Sequence, residues 1–178
     1  VIYNNISIPY ICQNTGFFTP CIHQHPSLLK EMEDDLQSYL KPKMEKCFND
    51  LIKEMKRKNI EVTNESIYTS LKIEPGKIKI NIFSPITTKE KDVVQHFSNF
   101  ESEIPSSMYE LGNVALDIAK RESLNCYFEY VGYMAIYPRF VIEKKTLRDG
   151  TNIYSIFDKK SNDKMNVAIR GCAVPAGI

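Results

Sequence analysis

The hydrophobic period of this chain switches from helical to alternating and back, which limits it to folds that mix helix and sheet. Over 27–58, Leu28, Met32, Leu36 and Leu40 recur at helical spacing, and Met44, Cys47, Phe48, Leu51, Ile52 and Met55 resume the stripe. Ser27 follows Pro26 and can open the first turn; Lys56, Arg57 and Lys58 suit the negative end of the helix dipole. Pro42 interrupts this run and predicts a kink or a restart. The period then drops to two. Ile67, Thr69, Leu71 and Ile73 alternate with polar residues, as do Ile78, Ile80 and Ile82. Between them Glu74-Pro75-Gly76-Lys77 has the Pro and Gly of a type II turn, so a hairpin is expected. Val93 to Ile104 is a poorer third strand, preceded by a turn over Lys89 to Asp92.

Ser107-Met108-Tyr109-Glu110 reads as a capping box for a second helix that buries Leu111, Ala115, Ile118 and Ala119 and ends near Asn125. The aromatic run from Cys126 to Tyr137 reads as a helix or turn packed on the core, closed by Pro138. Phe140 to Lys144, Thr151 to Phe157 and Met165 to Gly171 form a C-terminal meander, with Asp149-Gly150 as a hairpin turn. The N-terminal stretch, 1–26, holds Pro9, Pro20 and Pro26 and is expected to be extended. Ile2, Ile6 and Ile8 lie at even positions, so Val1 to Tyr10 reads as one strand. The sum is α+β: a long kinked helix and a second helix on antiparallel strands. With 178 residues and no linker or repeat, one domain over 1–178 is the economical organisation, with a globular body from 27.

Five cysteines (Cys12, Cys21, Cys47, Cys126, Cys172) are widely spaced and form no CxxC pair. That removes the zinc-ribbon and thioredoxin readings and suits a disulfide framework in an oxidising compartment. Asn5-Ile6-Ser7 and Asn64-Glu65-Ser66 are N-glycosylation sequons and point the same way. The chain starts at Val1 rather than Met, so a preceding segment is expected to have been removed. A net charge of +1, with both signs interspersed, argues against a nucleic-acid partner.

Candidate chemistry is sparse. Cys21, His23 and His25 alternate and could offer three zinc ligands, but no fourth lies nearby, and a disulfide at Cys21 would forbid it. A Cys–His nucleophile is unsupported with only His23, His25 and His96. There is no GxSxG, Gly-rich phosphate loop, HExxH or calcium loop. Glu31, Glu33, Asp34 and Asp35 read as a solvated face that favours the dipole. No enzyme activity, cofactor or metal is therefore expected. The sharpest interaction candidate is the strand Val1, Ile2, Ile6, Ile8 and Tyr10, which could complete the sheet of a neighbouring copy.

Two stretches carry a resemblance. One is Ile8-Pro9-Tyr10-Ile11-Cys12, then Pro20-Cys21 with Gln24, Leu40-Lys41-Pro42-Lys43 and Cys47; the other is the ending from Arg170 to Ile178. Together they resemble an uncharacterised family of surface proteins of small-genome (DPANN-type) archaea, similar to type IV pilin-like precursors. The family has a short basic start, one hydrophobic helix and an ectodomain like this chain. The resemblance implies a cell-surface or extracellular location, with membrane attachment only through an N-terminal anchor absent from this chain. It matches Cys12, Cys21, Cys47 and Cys172 as the disulfide set and leaves Cys126 as a free or intermolecular thiol. Within that set Cys12–Cys21 with Cys47–Cys172 is preferred, because the first pair closes a short loop. The implied function is a structural subunit of an extracellular, pilus-like filament or surface assembly. The partner is then the chain itself or another surface protein. The alternative is a monomeric, membrane-anchored ectodomain for adhesion or ligand binding.

Overall fold

Asn4 (φ 49°) and Asn5 (φ 62°) both lie in the left-handed region in the computed structural model, which describes residues 1–14, 16, 19–91 and 93–171. Asn tolerates that region, and two such residues in succession make a tight turn whose twist matches that of a hairpin. The first ten residues are therefore not one strand. β1 (Ile2–Tyr3) folds back on β2 (Ile6–Ser7), pairing Ile2 with Ser7 and Tyr3 with Ile6. The amino group of Val1 donates to the carbonyl of Ile8 at 2.8 Å.

The chain divides into two compact units, where one body over 27–178 was expected. One comprises Val1–Leu29 together with the chain from Ser106 onward; the other is Lys30–Pro105. The N-terminal stretch thus belongs with the C-terminal meander rather than standing apart from it.

In the first unit, β3 (Tyr10–Gln13), β4 (Ile22–His23), β9 (Phe140–Thr146), β10 (Asn152–Asp158) and β11 (Lys164–Arg170) form a five-stranded sheet in the order β4-β3-β11-β10-β9. The meander strands lie where their alternation placed them. β3 adds to β11 in parallel, a pairing the sequence did not suggest. The disulfide Cys12–Cys21 ties β3 to the chain leading into β4. α2 (Met108–Asn125) packs on β3, β10 and β11 through Leu111, Val114, Ala115, Ile118 and Ala119, all buried. Ile11, Ile118, Ile156 and Ile169 are fully buried, each contributing about 1.5–3 kcal/mol. The short α3 (Tyr130–Ile136) takes only part of the aromatic run inward: Phe128 and Tyr133 are buried, while Tyr127 and Tyr137 are about half exposed.

The capping box at Ser107 does not form, since its side chain makes no cap hydrogen bond. Asp163, from the turn before β11, accepts the Ser107 N–H at 2.7 Å instead. A tertiary carboxylate supplies the negative charge that a helix N-terminus favours.

In the second unit, α1 (Leu28–Arg57) runs through Pro42 as one helix about 45 Å long. It packs on β5 (Glu61–Asn64), β6 (Tyr68–Glu74), β7 (Lys77–Glu90) and β8 (Val93–Pro105). Phe48, Ile52 and Met55 meet Val62, Ile86 and Phe100, with the Phe48 and Phe100 rings edge to face at 5.3 Å. The expected hairpin is present: Gly76 takes φ 77° and Glu74 pairs with Lys77. β7 then continues past Pro85, with a bulge between Phe83 and Ile86, and forms the spine of the sheet. β5 and β6 pair end to end along one of its sides and β8 along the other.

Candidate interaction surface

Catalytic groups are often found among buried polar groups. In the first unit Glu122 of α2 is 1% exposed. Its Oε1 accepts from the hydroxyl of Tyr154 and from Lys144 Nζ at 3.4 Å. Burial, then the hydrogen bond to the Glu122 carboxylate, raises the Tyr154 phenol well above its ordinary pKa, so it keeps its proton. The group clamps α2 to β9 and β10. Asp158, at the end of β10, is fully buried and is gripped by Arg139 through Nε (2.9 Å) and Nη2 (2.5 Å). Arg139 also donates to Ser107 Oγ at 3.0 Å and lies 3.7 Å from Glu110. Arg139 holds the Asp158 carboxyl far below the usual carboxylate range. Both clusters join a helix to strands.

The cysteines are rearranged relative to the expected set. Cys12 and Cys21 are bridged, as preferred. Cys47 is a free, exposed thiol. The burying stripe of α1 follows Met44, Phe48, Ile52 and Met55, and Cys47 lies roughly a hundred degrees from its centre; Leu51, on the same flank, is 42% exposed. Cys126, expected to be free, is disulfide-bonded; it closes α2 in the left-handed conformation at φ 55°. Cys172 lies outside the described residues. Since Cys21 is held in its bridge, the ligand set Cys21, His23 and His25 is not available to a metal. Among the described residues no group of three or more His, Cys, Asp or Glu is placed to hold one.

Of the other sequence candidates, Asn5 sits at the tip of the first hairpin and Asn64 at the end of β5, both exposed. Val1, Ile2, Ile6, Ile8 and Tyr10 are engaged within the chain: Ile8 is 2% exposed and Tyr10 hydrogen-bonds Thr151 at 3.0 Å, whereas Ile2 and Ile6 stay exposed. Glu33, read as solvated, is 8% exposed and takes the N–H of Ile73 at 2.9 Å and Lys72 Nζ at 3.3 Å.

That last contact separates the sheet edges. An edge strand offers a row of unpaired N–H and C=O groups that can recruit another chain. Glu33 covers β6. The Met134 sulfur accepts the Ile142 N–H on β9 at 3.1 Å, and β4 is two residues long. β8 is different. It has 13 residues, all exposed but the half-buried Phe100. Among the described residues only β7 pairs with it, and it makes no other backbone hydrogen bond. It contains no Lys or Arg, the residues that usually blunt an edge. Its carboxylates are neutralised from β7 by Lys77–Glu103 at 2.6 Å and Lys79–Glu101 at 3.7 Å. Lys77 holds the Glu103 carboxyl below its ordinary pKa. Val93, Val94, Phe97 and Ile104 are each at least 44% exposed. Beside the strand a cavity of about 350 Å³ is lined by Met55, Ile60, Thr88, Val93, Gln95 and Phe97. This edge was not singled out from the sequence; the available signal was a strand with apolar residues on both faces and no basic residue.

No helix of the described residues is long and apolar enough to cross a membrane. Comparison of the chain with family models, curated proteins and solved structures finds no match.

Proposed function

We propose that this chain is a structural subunit of an extracellular or cell-surface assembly, of the pilin-like kind its sequence resembles. The observation that carries the reading is the open edge of β8: thirteen residues, all exposed but Phe100, paired along one side only among the described residues. A protein that stays monomeric normally covers, shortens or charges such an edge. The disulfide Cys12–Cys21, and the exposed sequons at Asn5 and Asn64, support an oxidising, extracytoplasmic setting. The joining element in this reading is β8 rather than Val1–Tyr10, because exchange of the N-terminal segment would require opening the β1–β2 hairpin and extracting Ile8.

The second reading, a surface ectodomain that binds a ligand, is favoured by the cavity beside β8, whose lining mixes Met55, Ile60, Val93 and Phe97 with Glu90 and Lys91. A strand added to β8 would lay alternate side chains along it, so an extended peptide is the ligand it suits. Sedimentation velocity of the disulfide-formed protein over a wide concentration range separates the two. Mass-action growth from monomer to larger species is expected for the assembly subunit. A single monomeric boundary at every concentration overturns it and leaves the binding domain.

A further inference from the structure

We infer that β8 pairs antiparallel with β8 of a second copy, about a two-fold axis between Ser98 and Asn99. The inference rests on the assembly reading and names its partner and register. Residues directly opposite in an antiparallel pair lie on the same face of the sheet. Val93, Gln95 and Phe97 stand opposite Glu90, Thr88 and Ile86; Phe100, Ser102 and Ile104 stand opposite Ile82, Ile80 and Ile78. Ile86, Ile80 and Ile78 are buried, and Phe97 and Phe100 lie on the α1 side with Met55 and Phe48. Val94 and His96, then Asn99, Glu101 and Glu103, face the other way, opposite Lys89, Thr87, Phe83, Asn81 and Lys79.

The α1 face is therefore odd-numbered before the bulge and even-numbered after it. A second β8 running antiparallel sets the first half of one copy against the second half of the other. Side chains then match face to face only if each opposing pair sums to an odd number. The sum 197 pairs residues 93–104, leaves only Pro105 unpaired and keeps this match across the centre. It sets Phe97 against Phe100 of the other copy on the α1 face, and His96 against Glu101 on the outer face. Each pair occurs twice by symmetry. His96 Nδ1 lies 2.9 Å from Thr87 Oγ1, which leaves the Nε2 side of the ring to face the carboxylate. A parallel arrangement would instead bring Glu101 and Glu103 against their own copies. Charge and packing both select the antiparallel register.

The expected strength follows from size. A strand of 13 residues presents an edge roughly 40 Å long and 10 Å deep, so two copies bury about 800–900 Å² in total. That falls below the ~1,200 Å² of a standard stable interface, so the pairing is reversible and concentration-dependent.

The test uses the full chain with Cys47→Ser, which removes the free thiol. His96→Glu and, separately, Val94→Glu place like charges against Glu101 and Glu103 of the partner. Each is expected to weaken self-association at least tenfold in sedimentation, while His96→Lys retains it. Circular dichroism melts of each exposed-site variant check that the fold is kept. Mixing His96→Cys with Glu101→Cys under mild oxidation is expected to give a cross-linked dimer that neither gives alone. If the parent associates but neither glutamate variant weakens it and no mixed cross-link forms, the β8 register is wrong while the assembly reading stands. If the parent is monomeric throughout, both fall.

Discussion

Removing the Asp158 carboxylate should destabilise the first unit by a predictable amount. Asp158 is fully buried, and its oxygens accept from Arg139 Nε and Nη2 and from the Lys160 N–H at 2.8 Å. Breaking a buried pair by deleting one partner costs about 3–5 kcal/mol, because the remaining charge is stranded. The Arg139 side chain is 33% exposed and keeps Glu110 at 3.7 Å, so the low end applies, about 3 kcal/mol for Asp158→Ala. For a chain of this length each kcal/mol moves Tm by about 2–4 °C, so a drop of about 6–12 °C is expected in a circular dichroism melt at neutral pH. The pH dependence has a definite sign. Arg139 depresses the folded-state pKa of Asp158, so its contribution is complete above the unfolded value of about 4 and is lost as pH falls below it. Parent stability should therefore fall from about pH 5 towards pH 2, and Asp158→Asn should flatten that fall. A variant melting within about 2 °C of the parent, with an unchanged acid profile, would refute the reasoning.

Other expectations follow from single contacts. Glu122→Gln should lower stability by about 1–3 kcal/mol in chemical denaturation, since a buried carboxylate shared by Tyr154 and Lys144 loses its charge. Cys47 should react stoichiometrically with a maleimide in the folded protein without reductant, while Cys12 and Cys21 react only after reduction, as read by mass mapping. Replacing Cys12 and Cys21 by Ala should cost about 2–4 kcal/mol in the same denaturation assay. Glu33→Ala should raise aggregation, measured by light scattering, because it frees the Ile73 N–H on the edge of β6.

Much of the fold was legible because it rests on local period. The strands after Pro138, the turn at Gly76 and the extent of both long helices each follow from spacing within a dozen residues. What the sequence did not convey depends on partners far away in the chain. Nothing local to Tyr10–Gln13 says that it joins β11 in parallel, or that Asp163 rather than Ser107 caps α2. The Asn4-Asn5 turn was readable, since two residues able to take positive φ between short apolar stretches make a hairpin. Even alternation at Ile2, Ile6 and Ile8 outweighed it in the reading of one strand. Cys47 illustrates a further gap: on a helix with exposed Leu51 and half-buried Phe48, composition alone does not tell which apolar residue faces the sheet. The candidate edge had a weak signature for the same reason. A strand exposed on both faces has no alternation, so Val93–Pro105 looked merely irregular.

Amide hydrogen exchange at rising protein concentration tests the self-pairing of β8 most directly. Amides within 93–105 should gain protection as concentration rises, while those of β1, β2 and the α1 surface stay constant. Association without added protection in 93–105, or with protection appearing in residues 1–10 instead, would contradict it.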